Sequence, residues 1–468
     1  LGDVTLKSLT SYQNDDIAIQ RDNDRHDYRT LPPFFLLQSY FDPETNEQKT
    51  TTQEFNLISN EPAFGRLDWV AGVFYLDTEV EISILERLDF GFDGVFDDFT
   101  LDDIYAYGGD VGFISDSKPE RESISVYGQG TWSFTDSIRM IAGLRYTEDE
   151  VYSAVTNFYG REGTEILEIE SEKVTGRLAL EVDLGDATMA YASYTRGFKP
   201  GGSNLTFGRE DVVSPIVVLP VFEEETIDAF EVGVKTDLVD GRVRLNGAAF
   251  FYTYDNLQYQ ATDPEVFQGG VGNIPESEIM GAELELGAFV TDSLIFDARL
   301  AWLDTEITSS HLALDNVESE AATNALLAQG ISLFSPEVEI ARAGQIADVR
   351  GNELAKTPGF TANLALTYSK AIGSWGDFES TVSYTHRGDF RHRIFNNPIT
   401  DEVDSYDTFD VMLRFSPTNA NWQVELIGRN LTDEDGINAR FTDVFGVGAT
   451  GDQFIPPRQL MARIGIDF

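Results

Sequence analysis

Apolar and polar residues alternate along most of this chain, which points to extended strands rather than helices. The segment FEVGVKTDL (230–238), for example, places Phe230 and Val232 opposite Glu231 and Lys235. A period of two residues is typical of a strand with one apolar face. The chain carries about sixteen such segments, each of roughly 9 to 14 residues. The pattern therefore predicts an all-β fold.

The length of these segments favours a membrane-spanning antiparallel barrel over a soluble sandwich. No run approaches the roughly 18 apolar residues of a membrane helix, so strands would have to cross the bilayer. Strands of about 10 residues, tilted by about 45°, cross the roughly 25 Å apolar band of an outer membrane. On this prediction the polar residues of the strands face a wet lumen: Glu231, Lys235, Arg244, Glu283, Glu285, Arg299 and Glu425.

The connections alternate between short and long, which places every long one on the same rim of the barrel. Short periplasmic turns and long extracellular loops are typical of outer-membrane barrels. The short turns lie at 135–137, 184–187, 239–242, 291–293 and 417–421. The long loops are predicted at 14–48, 82–119, 152–170, 198–220, 256–276, 308–357, 388–405 and 431–457, with a short helix over 315–334.

Composition narrows the function by exclusion. The formal net charge of −47 argues against nucleic acid as a partner, because phosphates would be repelled. The chain has no cysteine, which excludes disulfides, thiolate metal sites and cysteine catalysis. Its four histidines do not have the spacing of a metal site or a catalytic dyad. These histidines are His26, His311, His386 and His392. We therefore expect no enzyme activity, no catalytic residue, no cofactor and no resident metal.

Several segments resemble the TonB-dependent receptors, the active transporters of the Gram-negative outer membrane. The resemblance runs through nearly the whole chain, and the segments keep the family's order. It is carried by SLTSY (8–12), QEFNLIS (53–59), WVAGVFY (69–75), YASYTRGFKPGGSN (191–204), FEVGVKTDLVDGRVRLNGAAFFYTYDNLQ (230–258), LAKTPGFTANLALTY (354–368), IGRNLTDED (427–435) and the terminal Phe468.

The resemblance implies a 22-stranded barrel whose lumen is filled by an N-terminal plug. We expect residues 1–468 to be the C-terminal part of one such barrel domain, with the plug, the TonB-contacting segment and six strands outside this sequence. The count of strands also allows an intact sixteen-stranded porin.

The same resemblance implies a receptor that imports a scarce nutrient with energy coupled through TonB. The ligand would be a ferric siderophore, a cobalamin, haem or an oligosaccharide, and family frequency favours the siderophore. Implied partners are the TonB complex, outer-membrane lipid, lipopolysaccharide and the barrel-assembly machinery. The alternatives are a passive sixteen-stranded porin and a surface barrel that transports nothing.

Basic and aromatic residues in the predicted loops are the candidates for ligand contact. The segment RGDFRHRIFNNP (387–398) gathers arginines, whose planar donor forks suit carboxylate or phosphate. Lipopolysaccharide contact and salt bridges to acidic loops are the competing interpretations. The acidic segment 89–103 is interpreted as a solvated loop rather than an ion site, with nearby tyrosines available for stacking. The candidates are Arg391, His392, Arg393, Tyr105, Tyr107, Phe207 and Lys199.

Two further features concern structure rather than ligand. In RGFKPGGSN (196–204), Gly201 and Gly202 predict a turn that other residues do not adopt. In the last strand, Phe468 resembles the terminal signal read by the barrel-assembly machinery. That strand is expected to direct Leu460, Ala462, Ile464 and Ile466 to lipid, and Arg463 and Asp467 to the lumen.

Overall fold

The structure, a computed structural model, describes residues 2–22, 38–89, 114–158, 161–204, 218–262, 269–332, 335–442 and 450–466. Strands dominate these residues, and two helices accompany them. In chain order the strands are β1 (Val4–Asp22), β2 (Gln38–Ser59), β3 (Leu67–Asp89), β4 (Ile114–Thr135), β5 (Ile138–Phe158), β6 (Arg161–Gly185), β7 (Thr188–Lys199), β8 (Gly202–Ser203), β9 (Val221–Phe222), β10 (Glu225–Leu238), β11 (Val243–Thr262), β12 (Gly269–Thr291), β13 (Leu294–Ile307), β14 (Leu312–Leu314), β15 (Ile346–Asp348), β16 (Phe360–Ala371), β17 (Gly376–Arg387), β18 (Phe390–Arg391), β19 (Glu402–Val403), β20 (Tyr406–Pro417), β21 (Trp422–Arg429), β22 (Ile437–Thr442), β23 (Thr450–Phe454) and β24 (Gln459–Ile466). The helices are α1 (Asn316–Leu327) and α2 (Pro336–Ala343).

The long strands form one 16-stranded sheet, as the alternation predicted. Its order is β1-β2-β3-β4-β5-β6-β7-β10-β11-β12-β13-β16-β17-β20-β21-β24, so neighbours in the chain are neighbours in the sheet. This antiparallel meander is the topology of up-and-down barrels. The remaining strands pair as two-stranded sheets within the long connections. Among the described residues, β1 pairs only with β2 and β24 only with β21.

The two faces of the sheet are the reverse of those in a soluble protein. On β4, Ile124 and Val126 are about half exposed, at 49% and 57%. On the opposite face Ser123 and Ser125 are buried. An apolar outer face and a polar inner face are what a strand needs between lipid and a polar lumen. The apolar outward residues of the sheet are called the outer band below.

Several strands continue beyond the predicted ends, so the first three loops are shorter than expected. The predicted loop 152–170 is almost entirely strand, since β5 runs to Phe158 and β6 begins at Arg161. The 25 residues of β6 extend over roughly 80 Å. That is more than twice the roughly 35 Å needed to cross an apolar band at 45°. Beyond the apolar band of the membrane, both faces of a strand contact water. Antiparallel pairing therefore continues there, although the sequence no longer alternates between apolar and polar residues.

The long connection between β13 and β16 contains two helices where one was predicted. The first begins after Asp315, whose carboxylate accepts from the backbone N–H groups of Val317 and Glu318. It ends at Leu327, earlier than the predicted 334. The second helix was missed, although Ser335 and Pro336 form a recognisable helix start. No helix in the described part of the chain is both long and apolar enough to cross a membrane.

The long connections have a small apolar core of their own. We call the ends of the strands that carry the long connections their upper ends. The buried members of this core come from these upper ends and from the connections β13–β16 and β17–β20. Tyr259 and Phe395 pack against it. These connections therefore fold onto one another and onto the sheet beneath them. The core residues are Ile274, Ile307, Ala313, Val349, Leu354 and Ile394.

Candidate functional site

Arg393 joins two long connections through a buried ion pair. Its Nη1 donates to Asp315 Oδ1 at 2.7 Å, and its Nε donates to Asp401 Oδ1 at 2.7 Å. The Arg393 side chain is only 11% exposed, and that of Asp401 is fully buried. Because Asp315 also caps α1, a single guanidinium fixes both the helix start and the β17–β20 connection.

The neighbours of Arg393 are similarly engaged. Arg391 forms an ion pair with Glu402, its register partner across the β18–β19 hairpin, and this pair raises the pKa of the guanidinium. The imidazole Nε2 of His392 lies 3.0 Å from the hydroxyl of Thr442. Burial, aided by nearby cations, lowers the pKa of His392 to about 4. His392 is therefore neutral near pH 7.

Three asparagines complete the contact between the two connections. Asn352 donates to the carbonyl of Ile394 at 2.8 Å, and Asn397 donates to the carboxylate of Glu318 at 2.9 Å. Asn396 exchanges two hydrogen bonds with the backbone of one residue: its Nδ2 donates to the Glu353 carbonyl at 3.0 Å and its Oδ1 accepts from the Glu353 N–H at 2.8 Å. We call the contacts between residues 308–359 and 388–405 the loop clasp.

A third connection, β21–β24, is tied to the clasp by arginines. Arg440 donates to the carbonyls of Glu402, at 2.9 Å, and Thr400, at 3.3 Å. Arg387 donates to the carbonyls of Ile437 and Asn438. The three connections therefore form one hydrogen-bonded unit at the rim of the sheet.

Lys199 lies elsewhere, at the upper end of β7, where it is exposed and opposite Glu225 in register. The glycines that follow it were interpreted incorrectly, because neither has a positive φ. Instead, the lack of a side chain at these glycines leaves room for Phe222 to approach closely. A Cβ on Gly201 would lie 2.6 Å from the carbonyl oxygen of Phe222, and one on Gly202 would collide with the Phe222 ring.

The structure brings together only part of the predicted ligand set. The clasp brings together Arg391, His392 and Arg393, which form salt bridges and hydrogen bonds with neighbouring residues. These are the contacts expected if the basic segment serves to form salt bridges with acidic loops. Ligand contact by these residues and by Lys199 stays a prediction. Four predicted residues and most of the acidic segment lie outside the described residues: Tyr105, Tyr107, Phe207, Phe468 and 90–103.

The lumen wall carries the charged rows that alternation predicted. Glu379, Arg414, Glu425 and Arg463 are register partners across four neighbouring strands. Arg414 donates to Glu425 at 2.9 Å and to Glu379 at 3.2 Å, and Arg463 lies 3.6 Å from Glu425. On the other face of the last strand Leu460 is 76% exposed. In the last strand Arg463 therefore lies on the same face as Glu425, and Leu460, Ala462, Ile464 and Ile466 lie on the other. Their contact with lipid stays a prediction, and Asp467 lies outside the described residues.

The sequence did not predict which side chains contact the arginines of the lumen wall and of the clasp. Arg145 lies between the rings of Phe74 and Tyr127, at 5.4 and 5.3 Å, on the lumen wall. Asp315 and Asp401 complete the clasp, but nothing in sequence marks them among so many acidic residues. The described residues contain no group of three or more histidines or carboxylates placed to hold a metal ion.

Comparison with known proteins agrees with this architecture. The curated probable TonB-dependent siderophore receptor PiuA from Acinetobacter baumannii is 23% identical over 339 residues, 70% of this chain and 39% of that protein. The solved ferric yersiniabactin uptake receptor FyuA from Yersinia pestis matches 100% of this chain and 59% of its own, with a TM-score of 0.72 and 16% identity. The solved PiuA from Acinetobacter baumannii matches 99% of this chain and 62% of its own, with a TM-score of 0.70 and 17% identity.

The chain spans less than two thirds of the length of each of these proteins. At these identities the structural likeness establishes the fold alone. The family assignment rests instead on a family model, described as TonB dependent receptor-like, beta-barrel, which matches residues 2–431. Members of this family are outer-membrane receptors and transporters rather than enzymes. The chain therefore belongs to the TonB-dependent receptor-like β-barrel family.

Proposed function

We propose that this chain is the larger part of the barrel of an outer-membrane receptor that binds a ferric siderophore or a related metal chelate and imports it. The loop clasp carries this proposal. Buried ionic and amide contacts within the protein hold three long connections in one arrangement. A preorganised rim reduces the ordering cost of binding. Passive diffusion through a pore gains nothing from such an arrangement.

The open sides of β1 and β24 support a larger barrel over a sixteen-stranded porin. An unpaired strand edge cannot persist in hydrocarbon, because its N–H and C=O groups have no water to bind. A sixteen-stranded porin would need these two strands to pair, whereas each has one partner among the described residues. We propose that further strands complete the wall, and that the polar lumen rows contact water and a plug domain through which TonB acts.

The relatives support the choice of ligand class. PiuA is described as a probable siderophore receptor and FyuA as a ferric yersiniabactin uptake receptor. Within this proposal Arg391, with its side chain 21% exposed, is better placed for direct contact than Arg393. We assign Arg393 and His392 the role of holding the rim in shape, and propose Lys199, Tyr105, Tyr107 and Phe207 as additional contacts.

Uptake in a deletion strain tests the proposal. A strain lacking this receptor is grown under iron limitation and supplied with radioactive iron on a panel of hydroxamate, catecholate, carboxylate and phenolate chelators. We expect loss of uptake for one chelator class and its restoration by the full-length gene, but only in cells with working TonB. Unchanged uptake for every class, together with ion conductance by the purified protein in planar bilayers, would favour the porin.

A further inference from the structure

One stretch of the lumen wall is basic, although the chain has 80 acidic residues and only 33 arginines and lysines. Three neighbouring inward rows cross β1 to β6, and the middle row contains Lys7, Asn56, Gly72, Tyr127, Arg145 and Thr175. The row beneath it ends in Arg177, and the row above it ends in Lys173, which pairs with Glu224. We call the remaining charged residues of these rows the basic patch, whose formal charges sum to +2: Lys7, Glu54, Arg145 and Arg177.

Arg145 is held in the patch by contacts that fix its guanidinium without neutralising it. Its Nη2 donates to Ser125 Oγ at 2.8 Å, and its Nε donates to Thr147 Oγ1 at 3.2 Å. Both hydroxyl residues are buried, and the rings of Phe74 and Tyr127 lie beside the guanidinium. Its Nη1 makes no hydrogen bond to any residue that the structure describes. The cation is therefore preorganised, with a donor left for a further partner.

The other charges of the patch do not balance this cation. Glu54 accepts the hydroxyl hydrogen of Tyr127, and within the described ranges it forms no salt bridge with a basic residue of the patch. Arg177 is exposed and lies diagonally beside Arg145, because its register partner Gly143 is two residues before Arg145 on β5. Like charges that are neighbours on one face of a sheet repel each other. An anionic partner in the lumen would relieve this repulsion.

The wall formed by β17, β20, β21 and β24 is different, because its charges are balanced. There Arg414 pairs with Glu379 and Glu425, and Arg463 lies 3.6 Å from Glu425. The formal charges of these four residues sum to zero. The lumen is therefore electrically asymmetric, with its excess of cations on the side of β1 to β6.

The length of relatives beyond the part that this chain matches leaves room for a partner domain. The sixteen strands of the sheet occupy a chain of 468 residues, which covers 59% of the solved FyuA chain. Six further strands, at the same number of residues per strand, would use only about half of the remaining length. The other half is long enough for a separate small domain.

We propose that the basic patch docks an acidic face of the plug domain, whose carboxylates bind Arg145, Arg177 and Lys7. This inference rests on the proposed function, which places a plug in the lumen. Arginine forks suit carboxylates, and the free Nη1 of Arg145 supplies the donor. Arg145 lies seven residues beyond the start of β5, which places it roughly 17 Å above the short turns at a tilt of 45°. A ligand held at the rim does not reach that depth.

Hydrogen exchange in the full-length receptor tests the proposal. Peptides that precede Leu1 in the full-length chain report on the plug, and peptides of β1 to β6 report on the wall. The double variant Arg145→Gln, Arg177→Gln should speed exchange in the plug about tenfold, a factor that corresponds to about 1.4 kcal/mol. The wall peptides should stay protected. Arg463→Gln is the matched control, because it removes a 70% exposed lumen arginine from the balanced wall and should leave the plug unchanged.

Salt separates charge docking from a structural role of the arginines. Raising the ionic strength from 0.1 M to 1 M shortens the Debye length from about 10 Å to about 3 Å. Plug peptides of the wild type should then exchange about tenfold faster, whereas those of the double variant should not respond. Arg177→Gln alone replaces the double variant if that protein does not assemble, because the Arg177 side chain is exposed and the Arg145 contacts remain.

Three results would overturn the proposal. Plug exchange that is unchanged in the patch variants would make the patch an ordinary solvated wall, and equal acceleration by Arg463→Gln would show that the patch is not special. Slower uptake of anionic chelates alone, with the plug fully protected, would assign the patch to the transported ligand. A full-length protein without a lumen domain would contradict the proposed function as well, whereas a plug that ignores the patch contradicts only this inference.

Discussion

The lumen wall and the loop clasp both use arginine between carboxylates, but in different ways. On the wall, Arg414 bridges register partners on neighbouring strands, and its side chain is 38% exposed. In the clasp, Arg393 bridges Asp315, which is 78 positions away in the sequence, and Asp401, which is 8 positions away. Its side chain is 11% exposed. The wall is stabilised by backbone hydrogen bonds between many strands, whereas the clasp depends on a few buried polar side chains. Single substitutions should therefore affect the clasp most.

The largest expected effect comes from Arg393→Ala. It leaves Asp315 and Asp401 without their common cation, and breaking a buried ion pair in this way costs about 3–5 kcal/mol. Hydrogen exchange should become fast throughout 308–359 and 388–405 while the strand ladders stay protected. Arg242→Gln is the control, because its partner Asp292 is 94% exposed and exposed pairs contribute about 0–1 kcal/mol. Fast exchange in the strands as well would mean that the clasp and wall are one unit.

A matched pair of glycines probes the wall. A Cβ on Gly72 would lie 2.6 Å from the hydroxyl of Tyr127, whereas one on Gly247 would meet its nearest atom at 3.7 Å. Gly72→Ala should destabilise the protein by about 1–3 kcal/mol through overpacking, and Gly247→Ala should be neutral or slightly stabilising. Urea unfolding in detergent measures both. Equal effects would show that the close approach at Gly72 relaxes without cost.

Asn396 tests the amide contacts of the clasp with a smaller expected effect. Asn396→Gly keeps the backbone at its positive φ of 54° while removing the exchange with Glu353. Loss of these hydrogen bonds should cost about 1–2 kcal/mol in local opening. Asn396→Ala adds backbone strain and should cost more. Protease cleavage within 388–405 provides the measurement, and identical rates for the two variants would exclude a role for φ.

Over a single pH unit, the smallest expected effect is a dependence of the clasp on pH. The folded pKa of His392, about 4, lies below its ordinary 6.5, so the unfolded loop binds more protons between these values. Clasp stability should therefore fall as pH drops from about 6.5 to 4, by at most about 1.4 kcal/mol per unit. Arg440 lowers the pKa of Asp452, which keeps that pair intact in this range. His392→Gln should flatten the exchange profile of the clasp, and an unchanged slope would assign the dependence to other groups.

The same contrast explains what sequence could predict. Alternation identified the strands, and it assigned Glu425 and Arg463 to the lumen, because a strand's faces follow from residue parity alone. It failed above the outer band, where β5 and β6 have polar residues on both faces. The sequence could not predict the clasp, because Arg393 meets Asp315 only after two strands, β16 and β17, bring their connections side by side. Only the basic segment around Arg391 was visible, and its partners were not.

Ligand binding by the full-length receptor directly tests the proposal that the protein is a chelate receptor. Isothermal titration compares each chelator of the panel in its iron-loaded and iron-free forms, using wild type and Arg393→Ala. We expect one iron-loaded chelator to bind with a Kd below about 1 μM, near −8 kcal/mol. Arg393→Ala should weaken this binding, because the rim must then be ordered on binding. Failure of every chelate to bind a correctly assembled protein would rule out a chelate receptor.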